Sequence, residues 1–335
     1  MQTALVNNRQ TRRRIHIRPN LTIMKGTIAD LKFVRYGDMV VPIIMGKERK
    51  RVINKIVPQG LNQYVNNLIT VSNNSFNGNF SISGWSTSPG NAIQLLNNGS
   101  VVQTLNATVI PTLNGSTVIW IFIVNDLSSS SYTANQVNLL ASVNYIFDFP
   151  SSTVSSFQWY SPAFNLATAT TNIVKQSEEV ISFIWEIQLN LGSYALTDFI
   201  YGILYSITTI QTPCSGSTVT LGTFGGAYGI QYMYPYYFSS IALQYIGGSS
   251  SANISSITAT YDGTNTYLVI SASISLSSQV TATSIVVNVS GTGINHFCMN
   301  GQSASSGSII QIPYNATLPS GTINITVTIE FSPAT

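Results

Sequence analysis

The chain has 335 residues, of which only 7% are charged, against about one quarter in an ordinary globular protein. It is long enough for two or three domains with buried cores, and its many aromatic and β-branched residues exclude a disordered polymer. Thirteen of the fourteen Lys and Arg lie between Arg9 and Lys55, so the first 55 residues carry +10 and the rest −7; this excludes an evenly charged surface and suits a basic end that meets a polyanion or an acidic protein.

Residues 1–24 contain Arg12, Arg13, Arg14, His16 and Arg18. They predict a basic N-terminal arm for nucleic acid or an acidic partner, binding by salt-dependent charge without base readout; the competing reading is a solvated tail. In residues 25–56, the apolar runs LKFVRY and DMVVPIIM meet at Gly37-Asp38. That predicts a β-hairpin with Pro42 at an edge or bulge. GKERKRVINK then adds Lys47, Arg49, Lys50, Arg51 and Lys55 as a basic flank or an ordinary solvated face. In residues 57–69, Leu61, Tyr64, Val65, Leu68 and Ile69 recur at helical spacing, which predicts one short amphipathic helix with Pro58 near its start.

The stretch 57–190 continues with strand signals: FSISGW, AIQLL, VVQTLNATVI, STVIWIFIV, NYIFDF and VISFIWEIQL. Turn clusters separate them, as in a β-sandwich domain. VIWIFIV is continuously apolar, which predicts burial on both faces. Residues 191–250 form an aromatic-rich β segment with Tyr232, Tyr234, Tyr236 and Tyr237. These tyrosines supply a contact surface or pack within one subunit. Residues 251–335 return to alternating strands (ISSITATY, TYLVISASISL, TSIVVNVSG, GSIIQIPYN and TINITVTIEF), about the size of an immunoglobulin-like sandwich. The expected fold is all-β: tandem β-sandwich domains of jelly-roll or immunoglobulin-like type, a basic N-terminal arm with its hairpin over 1–56, and one short helix.

Chemistry is sparse. The histidines are His16 and His296, and His296-Phe297-Cys298 offers two ligands where a metal needs three or four. GTFGGAYG lacks the lysine of a phosphate loop. Glu178-Glu179 and Glu186 invite comparison with a glycosidase carboxylate pair but read as a turn and a strand residue. No catalytic residue, cofactor or metal is therefore expected. Cys214 and Cys298 form one disulfide or remain two buried thiols. The N-terminus lacks the apolar core of an export signal, and acids interrupt the most apolar stretch, 180–210, so neither a signal nor a membrane span is expected. Ten Asn-X-Ser/Thr sequons occur. Asn73, Asn79, Asn98, Asn106, Asn114, Asn253, Asn288, Asn315 and Asn324 are expected to carry glycans, which would help dissolve a charge-poor exterior; Asn98 and Asn114 fall in predicted turns.

The order of pieces, from TRRRIHIR and GKERKR to the low-charge strands TVIWIFIVND and INITVTIEF, resembles viral tail, attachment and capsid proteins. In style the body resembles structural proteins of viruses of hyperthermophilic archaea, such as the spindle-shaped fuselloviruses. The likeness lies in composition and order across the chain, so no functional residue is carried over from it. It implies a non-enzymatic virion protein at a tail, nozzle or vertex, acting in assembly or host attachment as a homo-oligomer. The basic end would face the particle interior or a neighbouring ring, and the glycosylated body would face outward. Implied partners are copies of itself, other virion proteins, viral DNA or membrane at the basic arm, and host surface glycans. Two alternatives are an archaeal cell-surface or appendage subunit, and a carbohydrate-binding tailspike that uses the aromatics of 224–245.

Overall fold

The computed structural model describes residues 7–36, 39–46, 48–70, 86, 88–147, 157–208, 238–290, 297–299, 302–304 and 306–334. In chain order the elements begin with strands Asn7–Gly26 (β1), Leu31–Tyr36 (β2), Met39–Ile44 (β3), Glu48–Val52 (β4) and Asn54–Ile56 (β5), and helix Pro58–Thr70 (α1). Next come Ala92–Asn97 (β6), Ser100–Asn106 (β7), Thr108–Asn114 (β8), Thr117–Asp126 (β9), Tyr132–Ala141 (β10), Asn144–Phe147 (β11), Phe157–Tyr160 (β12), Phe164–Lys175 (β13) and Val180–Asn190 (β14). Helix Thr197–Tyr205 (α2) is followed by Phe238–Tyr245 (β15), Gly248–Tyr261 (β16), Thr266–Leu276 (β17), Val280–Ser290 (β18), Phe297–Met299 (β19), Gln302–Ala304 (β20), Ser306–Leu318 (β21) and Gly321–Pro333 (β22).

The chain is mostly β, as expected. Helix α2 was not expected: it opens the segment read as aromatic-rich β. Its sequence TDFIYGILY is a short apolar run, and such runs do not distinguish strand from helix by periodicity.

Eleven strands form one sheet in the order β21-β18-β15-β16-β17-β22-β1-β14-β9-β8, with β4 added beside β1. This sheet curls into a half-barrel. The basic N-terminus is therefore not an arm. β1 pairs in parallel with β22 from Asn7↔Ile323 to Ile17↔Pro333, and antiparallel with β14 from His16↔Asn190 to Gly26↔Val180. The reason is a period-two pattern beneath the charge: Ile15, Ile17, Leu21 and Ile23 enter the main core, while Arg12, Arg14, His16 and Arg18 take the opposite face. Strands from the two expected sandwich segments, 57–190 and 251–335, also share this sheet across β1, and the expected boundary at 250/251 falls inside β16. Tandem, separately closed sandwiches are not what the chain builds.

A second sheet runs β5-β13-β10-β6-β7. The two sheets and α1 share the main core. Leu61, Tyr64, Val65, Leu68 and Ile69 are all buried, as their spacing predicts. Tyr64 joins the layers: its ring centroid lies 5.4 Å from Trp120 of β9 and 6.3 Å from both Phe164 of β13 and Phe331 of β22, and its hydroxyl bonds Ser206 at 2.9 Å. The Trp120 indole N–H reaches the Ile203 and Leu204 carbonyls in the last turn of α2, the first of which also accepts from the Ser206 N–H and hydroxyl. At Gly60 a Cβ would lie 1.8 Å from the Asn165 carbonyl oxygen, so only glycine lets α1 approach β13 this closely.

A smaller core lies on the other face of the large sheet. The hairpin β2–β3 sets Val34, Tyr36, Met39, Val41 and Ile43 against Met24, Ile110, Ile121, Ile123 and Ile184. This accounts for the unbroken apolar run in β9, whose alternate residues serve the two cores. Asn125 Nδ2 donates to the Pro42 carbonyl at 2.8 Å, and the Ile44 N–H donates to Ser182 Oγ at 2.7 Å, fastening β3 to the sheet.

Candidate interaction surfaces

The described basic residues among those singled out in the sequence do not form one patch. Arg12 and Arg14 point to the outer face of β1, beside Glu330 of β22. Both guanidinium Nε atoms donate to the same Glu330 oxygen at 2.9 Å. Glu330 is only 1% exposed, whereas the two arginines are about half exposed. Burial pushes the Glu330 carboxyl up, but Arg14 and Arg12 outweigh it and hold the group below the usual carboxylate range. Arg12 also lies 4.9 Å over the Tyr267 ring and donates to its hydroxyl at 3.2 Å. Tyr267 donates in turn to Asp262. That bond, with the Asn265 and Thr264 backbone N–H groups, holds Asp262 far below its ordinary value. A chain of alternating charge and hydroxyl thus ties β1 to β22 and β17.

Arg13 has the opposite parity, and its charge acts on the buried Tyr194 hydroxyl. Arg18 is exposed on the outer face, across from Gln188. Arg49 and Arg51 share that face on β4, across from Met24 and Thr22. Lys50 lines a cleft with Ile23, Lys25, Glu48, Asn172, Ile173, Val174 and Ile181. There Lys25 pairs with Glu179 at 2.8 Å and donates to the Val174 carbonyl. Lys47 lies outside the described residues.

Two features escaped the sequence reading. Lys175, the one base beyond residue 55, is 1% exposed. It donates to the Ser128 and Ser130 carbonyls and clamps the β9–β10 loop, whose other anchor is Asp126, bonded to Ser128 and Tyr132. The second is the solvent side of the β2–β3 hairpin: Phe33 is 74% exposed and Val40 59%, with Ile28, Met45 and Ile53 also exposed. The signal was present in LKFVRY and MVVPII, which carry apolar residues at both parities although a ribbon lying on a sheet buries only one.

Sequons divide by exposure. Asn98, Asn106, Asn114, Asn253 and Asn315 are exposed. Asn98 and Gly99 have φ of 51° and 82°, the two positive values of a type I′ hairpin turn. Asn288 is half-buried; its amide donates to Ser240 and its carbonyl oxygen accepts from Ser308. Half-buried Asn324 accepts from Ser273. Asn73, Asn79, Tyr232, Tyr234, Tyr236, Tyr237, Cys214 and His296 lie outside the described residues. Glu179 and Glu186 stand about 23 Å apart at the rise of a strand, whereas glycosidase pairs lie about 5–9.5 Å apart. Among the described residues no three His, Cys, Asp or Glu gather as a metal site, and no helix is long and apolar enough to cross a membrane.

The sheet edges differ in how open they are. β8 carries Pro111, and β21 carries Pro313. The β21 edge is also occupied, with the Leu196 N–H bonded to Ile309 O and the Gln311 N–H to Tyr194 O. β4 reads ERKRV, and β5 has three residues. Proline, charge, brevity and cover are the devices that block edge pairing. Among the described residues β7, SVVQTLN, has none of them, and its Val101 and Val102 are 52% and 38% exposed. No protein-family model, curated protein or solved structure matches the chain.

Proposed function

We propose that this chain is a non-enzymatic structural subunit of a virion, at a tail, nozzle or vertex, that assembles with copies of itself. The observation that carries the proposal is β7, an uncharged seven-residue strand with exposed valines that ends the second sheet, whereas the described end strands β8, β21 and β5 carry proline, cover or only three residues. The way charge is used supports the same reading. Glu330, Glu179 and Asp126 bond within the fold, which leaves little for catalysis and much for rigidity. We read the second sheet, packed on the curled one, as one layer of a jelly-roll-like body, with the exposed sequons away from β7, at Asn114, Asn253 and Asn315, as its outward, glycan-bearing surface.

Native mass spectrometry and sedimentation velocity test the proposal. The wild-type chain is expected to form a closed multimer, and Val101→Lys with Val102→Lys to yield monomer with an unchanged far-UV circular dichroism spectrum. A wild-type chain that stays strictly monomeric would overturn the assembly reading.

A further inference from the structure

The outer side of the β2–β3 hairpin combines two properties that rarely share a surface. Cross-strand pairing sets Phe33 opposite Pro42 and Arg35 opposite Val40, so Phe33, Pro42 and Val40 form one apolar stripe facing solvent. Ile28 and Met45 lie at the root of the ribbon, where the Met45 N–H bonds Asp30 O and joins the two chain segments. Phe33, Val40, Ile28 and Met45 are each more than half exposed and Pro42 is partly covered, on a ribbon whose other side is already spent on the smaller core.

Bases surround the stripe. On β2, Arg35 is exposed on the same side as Val40, while Lys32 is exposed at the margin of the other side, opposite Ile43; Arg49 and Arg51 are exposed on the neighbouring β4. The position of Arg49 is fixed by two observations: it pairs across from Met24, beneath the hairpin, and its charge acts on the Tyr36 hydroxyl. Three described acids stand near. Asp30 accepts from the Thr27 backbone and hydroxyl, Glu186 lies on β14 two positions from Ile184, which the hairpin covers, and Glu48 begins β4 with Lys25 4.0 Å away. Four exposed bases against three acids leave the rim net basic.

We propose that this hairpin docks the protein onto an anionic phospholipid bilayer, with Phe33 and Val40 entering the headgroup region and Arg49 and Arg51 meeting lipid phosphates and carboxylates. The argument is complementarity of both kinds. Interfacial binding is driven jointly by buried apolar area and by attraction to anionic lipid. A nucleic acid would satisfy the bases and leave Val40, Ile28 and Met45 in water; an uncharged apolar groove would cover the stripe and strand the bases. The docking face lies on the outer side of the large sheet, whereas the proposed assembly edge, β7, belongs to the second sheet, so the two proposals stand or fall separately.

The test is cosedimentation of the full chain with phosphatidylcholine vesicles, with and without added phosphatidylserine. Binding is expected only where phosphatidylserine is present. Two exposed-site variants, Phe33→Ser with Val40→Ser, and Arg49→Glu with Arg51→Glu, are each expected to lose about tenfold or more in vesicle partitioning, with unchanged thermal transitions. Failure of the wild type to bind phosphatidylserine vesicles would overturn the proposal. So would binding that survives loss of Phe33 and Val40, or a preference for duplex DNA over vesicles that depends on Arg49 and Arg51 alone.

Discussion

Replacing Glu330 with Gln tests whether Arg12 and Arg14 hold the sheet or serve as a solvated basic cluster. The exchange keeps size and shape but removes the charge on which both guanidinium groups converge at 2.9 Å. It also places an amide donor where Glu330 Oε1, buried and without a hydrogen-bond partner, offers none. Hydrogen bonds to buried charged groups contribute about 1.5–3 kcal/mol each. Half-exposed donors reduce the expected loss of the Glu330 carboxylate to about 2 kcal/mol in total. With an unfolding entropy of about 2.1 cal/mol/K per residue over 335 residues, the melting temperature should fall by about 3 °C at neutral pH. The folded pKa of Glu330 lies below its unfolded value, so its contribution is complete above the ordinary carboxylate pKa, about 4.3, and disappears as pH falls through the folded value. Urea unfolding of wild type and variant should therefore differ at pH 7 and converge in acid. Equal stability at pH 7, with unchanged binding to heparin beads, would refute the lock and return these arginines to a solvated role.

Three further outcomes are expected. Tyr64→Ala should cost about 3–5 kcal/mol by urea titration, because it empties the junction of α1 with Trp120, Phe164 and Phe331, whereas Tyr64→Phe should cost about 1 kcal/mol for the lost bond to Ser206. Gly60→Ala should lower stability by about 1–3 kcal/mol, because α1 must lift from the Asn165 carbonyl; an unchanged urea midpoint would show that the contact is loose. If the native-source protein is glycosylated, peptide mapping should find sugar on Asn114, Asn253 or Asn315 and none on Asn288, whose amide is engaged with Ser240.

Much of the local structure was legible. The i, i+3, i+4 spacing of Leu61, Tyr64, Val65, Leu68 and Ile69 located α1 and its buried face, and the unbroken apolar run in β9 correctly implied burial on two sides. The hairpin at 31–44 followed from two apolar runs and a Gly-Asp turn. What failed was long-range. Arg12-Arg13-Arg14 dominated the reading of residues that alternate as a strand, because the partner that neutralises two of them, Glu330, is a lone acid 318 positions from Arg12. Strand pairing across that distance leaves no local trace, so the shared sheet was divided at 250/251. The candidate surfaces suffered similarly: β7 is open because it ends the order β5-β13-β10-β6-β7 with no described strand beyond it, which is a property of the sheet order rather than of SVVQTLN.

The parallel pairing of β1 with β22 has a consequence for the order of events in the cell. Closing so distant a pair is slow, and β1 is synthesised long before β22. Until then the Asn7–Ile17 half of β1, which ends in the alternating pair Ile15 and Ile17, stands without its partner, and an unpaired strand edge of this kind favours aggregation. The arginines that later grip Glu330 are well placed to act as gatekeepers during that interval. The same two charges would keep the nascent strand apart from its neighbours, then lock it in place once the buried carboxylate arrives.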